Sequence, residues 1–155
     1  MKLLIGALLL AFGLLIPAFA MAQAMVPPTG TDDANRSMPL VERMQRRFPQ
    51  PVRVGDLIGL PMLNSNASTL GYVRQVVRTA AGKIELVVAY NTWFGWFGWF
   101  TRPVAVPIEV VGIEGRQLAS LDMPGSEYAS APTWQNQDAM PLPDDATIRI
   151  ALARN

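Results

Sequence analysis

The feature that most narrows the fold of this chain is a period of two. Lys83 to Tyr90 alternates, with Ile84, Leu86, Val88 and Tyr90 on one face. Val104, Val106, Ile108 and Val110 repeat the pattern between Ala105, Pro107 and Glu109, and Thr147 to Arg154 repeats it through Ile148, Ile150 and Leu152. Neighbouring side chains of a strand point to opposite faces, so β-branched alternation between Gly, Pro and Asn turns reads as half-buried strands. Ala81-Gly82 and Asn64-Ser65-Asn66 are the turn signals between them. Roughly five to seven short strands in about 100 residues, with no long helix, predict an all-β small barrel or sandwich. Proline cannot donate to a ladder, so Pro103 and Pro107 put their strand at a sheet edge or a bulge.

The N-terminus reads differently. Lys2 is the only charge before Asp32, and an apolar run from Leu3 to Ile16 ends at Pro17. Ala18-Phe19-Ala20 and Ala22-Gln23-Ala24 then offer small-residue cleavage sites, so residues 1–24 read as a secretory signal peptide. A retained anchor is the competing reading, since about 20 apolar residues span a bilayer. With no cysteine anywhere, lipid attachment at the junction is excluded. Export without disulfides points to a bacterial periplasm. Removing Lys2 leaves 13 − 1 = 12 basic residues against 12 acidic ones, so the exported chain is formally neutral.

Residues 25–50 read as a linker carrying a short basic helix over 38–48, capped by Ser37. Val41, Met44 and Phe48 share one face of that helix, and Arg43, Arg46 and Arg47 occupy the rest. It either docks Val41 and Phe48 on the domain or touches an anionic membrane. Residues 51–123 form the main domain. Residues 124–155 form a strap and a final strand, because Pro124, Pro132, Pro141 and Pro143 oppose regular structure while Tyr128, Trp134, Met140 and Leu142 are apolar. Charge is uneven: five arginines and one acid lie between 36 and 53, and seven acids and one arginine between 109 and 145. Either the N-terminal segment lies across the acidic strap within one molecule, or the module associates head to tail.

Several short motifs look familiar. Val52-Arg53-Val54-Gly55-Asp56-Leu57-Ile58-Gly59-Leu60-Pro61 resembles the opening strand of the PRC-barrel family, and Leu70-Gly71-Tyr72-Val73-Arg74-Gln75-Val76 its second strand. Gly82-Lys83-Ile84 and Arg102-Pro103-Val104-Ala105-Val106-Pro107 extend the resemblance, which covers about residues 52–125. Gln75 departs from it, standing where many members carry an acid. The resemblance implies a small antiparallel β-barrel used as an interaction or assembly module, and it brings no catalytic residues.

Thr92 to Thr101 holds six aromatics in eight residues: Trp93, Phe94, Trp96, Phe97, Trp99 and Phe100, with Gly95 and Gly98 between them. Laid out as one strand, each face would carry three rings and one glycine. At ~150 Å² per ring, the second face would leave on the order of 450 Å² to be covered, as much as the largest exposed patch of a typical monomer. The rings either plug and cap the barrel beneath the strap, form a protein-binding or self-association surface, or enter a membrane interface.

Chemistry is sparse elsewhere. The absence of Cys and His excludes thiolate zinc sites, cysteine nucleophiles and histidine triads. No phosphate-binding glycine motif or calcium loop occurs, and a near-neutral charge with no basic groove argues against nucleic acid. Asp32-Asp33 and Asp144-Asp145 read as turn residues. The expectation is therefore a non-enzymatic, exported cell-envelope interaction module without cofactor or metal, binding a protein partner or itself through residues 93–100. The alternative is a peripheral membrane protein using the same segment and the basic helix.

Overall fold

The computed structural model describes residues 37–93, 99–135 and 139–153. The expected signal peptide and most of the expected linker lie outside these residues. The elements, in chain order, are helix α1 (Leu40–Arg46), strand β1 (Gln50–Arg53), a one-turn helix α2 (Val54–Leu57), β2 (Pro61–Leu63), β3 (Thr69–Thr79), β4 (Ile84–Trp93), β5 (Trp99–Pro107), a 3₁₀ turn (Ile108–Val110), β6 (Val111–Glu114), β7 (Gln117–Ser120), α3 (Gly125–Ser130), β8 (Ala139–Pro141) and β9 (Thr147–Leu152).

The chain is mostly β, as the alternation requires. The strands follow the order β1-β9-β6-β7-β2-β3-β4-β5, with β8 pairing on β3. The expected antiparallel barrel differs from what is found in two respects. The sheet is mixed, because β2 pairs with β7 and β6 with β9 in parallel. Nor is it closed, since no ladder joins β1 to β5 among the described residues. Even so, one apolar core takes Ile148 and Ile150 from β9, Leu118 from β7, Met62 from β2, and Val88 and Val104 from the β4–β5 pair. The sheet therefore bends around a single core.

Several local expectations hold. β5 ends the strand order, which leaves the nitrogens of Pro103 and Pro107 at an edge. Gly82, at φ +79°, completes the β3–β4 turn, where a left-handed residue is needed. The Asn64 carboxamide oxygen accepts the N–H groups of Asn66 and Ser68, each at 2.9 Å, and so builds the β2–β3 turn. Gly71, opposite Tyr90, is required for a different reason: a Cβ there would lie 2.1 Å from the Ala89 carbonyl oxygen.

Others are corrected. Residues 52–61 are not one strand: α2 interrupts them, and Val54 and Leu57 drop into the core. The run 104–110 leaves strand geometry at Ile108, where the 3₁₀ turn still buries Ile108 and Val110. In α1, Pro39 takes the cap position expected of Ser37, and no side chain caps it. Met44 is buried as expected, but Val41 is 57% and Phe48 56% exposed; the chain turns out of the helix at Phe48 with φ +52°. The strap, expected to be irregular, contains α3 and β8.

Candidate functional site

The expected interaction segment lies at the far end of the β4–β5 hairpin. Near its base the cross-strand pairs Leu86–Val106 and Val88–Val104 are fully buried. Continuing along that face come Tyr90–Arg102 and Thr92–Phe100, and beyond them Trp93 stands opposite Trp99 in the ladder. The aromatic run is therefore not one strand with two aromatic faces. The chain reverses within it. Phe94, Trp96 and Phe97 lie outside the described residues, as do Gly95 and Gly98. Of the six aromatics, Phe100 is seen to be 52% exposed. Thr92, Phe100, Thr101 and Arg102 line an almost wholly apolar recess of about 430 Å³ beside it.

Of the strap residues Tyr128 and Trp134, expected to cover the rings, Tyr128 packs beside Tyr90. Tyr128 is fully buried at the hairpin's middle, its ring 5.9 Å from that of Tyr90. Its hydroxyl donates to Ser120 Oγ at 3.0 Å, and Ser120 donates in turn to the Met123 carbonyl at 2.5 Å. Burial pushes the Tyr128 phenol up to about 12, with the Ser120 hydrogen bond opposing and Glu127 assisting. Trp134 donates its backbone N–H to the Pro103 carbonyl at 2.8 Å, so the strap also grips the β5 edge. From there it reaches β8, which pairs with Val77–Thr79 on β3. Val77, Val87 and Ala89 lie outside the core cluster and are nonetheless buried.

Arg102 ties these parts together. Its guanidinium donates to the carbonyls of Tyr128 (2.6 Å), Ala129 (2.7 Å) and Ala131 (2.5 Å) at the C-terminal end of α3, and it lies 5.5 Å over the Tyr90 ring. Helix C-termini carry unpaired carbonyls and a partial negative charge, so a cation there is doubly favoured. Sequence alone shows Arg102 only as the cation beside the aromatic run; its role as a helix cap depends on where the strap lands.

The uneven charge is settled within the molecule for two of the three arginines in and just after α1. Arg43 donates to Asp122 Oδ1 at 2.8 Å, and Arg47 contacts both Asp122 oxygens. Asp122 is only 9% exposed. Arg46 pairs one turn away with Glu42 on the surface. The basic segment thus meets Asp122, which lies just before the strap, so its charge is paired within the molecule although not on residues 124–155. Among the described residues, no three acids cluster as a metal site and no helix is long and apolar enough to cross a membrane. No protein-family model matches the chain, and no curated protein matches it in sequence.

Proposed function

We propose that the chain is an exported, PRC-barrel-like interaction module of the bacterial cell envelope, non-enzymatic, that binds a protein partner or a second copy of itself through residues 93–100. The observation that carries this reading is the position of the aromatic run. It occupies the end of a hairpin whose base is already packed and whose own strap is engaged lower down, on Tyr90 and Arg102. Phe100 and its apolar recess stand where a partner could cover them. Aromatic side chains at such a position supply large contact area with few rotatable bonds, the property of interface cores. The membrane reading has less support, because Arg43, Arg47 and Arg102 are all engaged within the molecule.

The test is the solution mass of residues 25–155 beside a variant carrying Trp96→Ser and Phe97→Ser. The expected result is a wild-type oligomer that becomes a folded monomer in the variant. A wild-type monomer whose variant unfolds would make the rings part of the core and remove the proposal. If both forms stay folded monomers, vesicle binding becomes the reading to measure.

A further inference from the structure

After Asp32, the two longest stretches without a charged residue are 57–73 and 86–101. The first holds β2, its turn and the start of β3; the second holds most of β4, the aromatic run and the start of β5. The ladder brings them side by side, with Gly71 opposite Tyr90 and Tyr72 opposite Ala89. Between them lies an open recess of about 380 Å³ lined by Asn64, Ser68, Thr69, Leu70, Tyr90 and Asn91. Asn64 uses its carboxamide oxygen to hold its own turn, which leaves its two amide N–H donors uncommitted to that turn. The Asn91 amide and the Ser68 and Thr69 hydroxyls make no side-chain hydrogen bond to the described residues. Arg102, the first charge beyond the second stretch, is committed to the α3 carbonyls.

From this chemistry we infer that the recess binds a neutral polyhydroxylated ligand, a mono- or disaccharide unit of a glycan. A charged ligand would lose hydration there and meet no counter-charge. A purely apolar one would leave amides and hydroxyls without partners. A sugar satisfies both conditions. Its vicinal hydroxyls donate and accept, as a planar carboxamide does, and its apolar C–H edges meet the Leu70 and Tyr90 side chains that line the recess. The volume lies at the small end of ligand pockets, ~300–1,000 Å³. The inference rests on the recess and stands apart from the assembly proposal.

The experiment uses the chain expressed with its own leader, labelled with ¹⁵N and titrated separately with cellobiose, maltose and diacetylchitobiose. The expected result, for at least one of them, is a shift of the Asn64 and Asn91 side-chain amide signals, half-saturating on the order of 1 mM. Asn91→Ala and Thr69→Val should each weaken it ~10-fold while the backbone spectrum keeps its dispersion; Thr69→Val is nearly isosteric and suits a strand, so the pair guards against one variant misfolding. A Trp96→Ser/Phe97→Ser variant that loses association but keeps the shift supports this inference as independent of the assembly proposal. No shift with any of the three sugars overturns it, as does a shift that persists unchanged in both recess variants. Binding to phosphatidylcholine vesicles that the recess variants weaken, with no sugar response, overturns it in favour of a bilayer.

Discussion

Two arginine contacts hold the flanking segments to this sheet, and they work differently. α1 is held by Arg43 and Arg47 on one carboxylate, Asp122. The strap is held by Arg102 on three backbone carbonyls and an aromatic face. In the first, two full positive charges share one negative charge in a half-dry setting, so either side is costly without the other. In the second, the cation meets partial charges that water can satisfy when it leaves. The first contact depends on net charge, the second on geometry.

The largest expected effect is at Asp122. Asp122→Ala leaves two guanidiniums side by side without a carboxylate and should cost about 3 kcal/mol in urea unfolding. A loss below about 1 kcal/mol would mean that α1 is held by Met44 rather than by charge. Arg102→Ala should cost less, about 2 kcal/mol, and should speed proteolysis within 124–135. If Arg102→Ala proves costlier than Asp122→Ala, the ranking drawn from charge compensation is wrong.

Tyr128→Phe, which removes the hydroxyl and leaves the ring, should cost about 1 kcal/mol near neutral pH. It carries a pH signature as well. A phenol raised from 10.0 to about 12 in the folded state is protonated there over a range in which the unfolded chain ionises. Its stabilisation is present in full below about pH 10 and is lost as pH rises towards 12, a loss on the order of 2 kcal/mol. The variant should lack that part of the slope; identical slopes in both proteins would remove Tyr128 as its source. Salt gives the smallest effect. Between 0.1 and about 1 M NaCl the difference between wild type and Asp122→Ala should shrink by a few tenths of a kcal/mol, while the Arg102→Ala difference should hardly change.

Much of the fold was legible along the chain wherever a local rule had no competitor. The prolines of β5 lack ladder donors, so an edge or a bulge suits them, and an edge is where they are. Asn64 and Gly82 mark turns by their own hydrogen bonding and backbone freedom. The charge asymmetry anticipated pairing of the basic segment within the molecule, and Asp122, just before the strap, supplies it. The reading weakened where apolar residues had two ways to be buried. Val54 and Leu57 suit a strand or a helical turn equally in sequence, and packing chose the turn. Val41 and Phe48 were expected on the docking face, yet the helix presents Met44 to the core, with Leu40 beside it. At the candidate site, sequence located the aromatic run but not the reversal inside it, because a three-residue period matches neither a strand nor a helix. It gave no sign that Asn64 and Asn91, 27 positions apart, line one recess.

By itself, the sequence determined the secondary-structure class, the main turns and the uncharged character of residues 57–73 and 86–101, all of which depend on residues within a few positions of one another. Tertiary structure alone decided the parallel pairings of β2 with β7 and β6 with β9, the bending of an open sheet around one core, and the closing of the Arg102 cap on α3. The physical reason is range. Alternation states that a strand has a buried face, but which strand lies beside it depends on how the whole chain shares one small apolar interior.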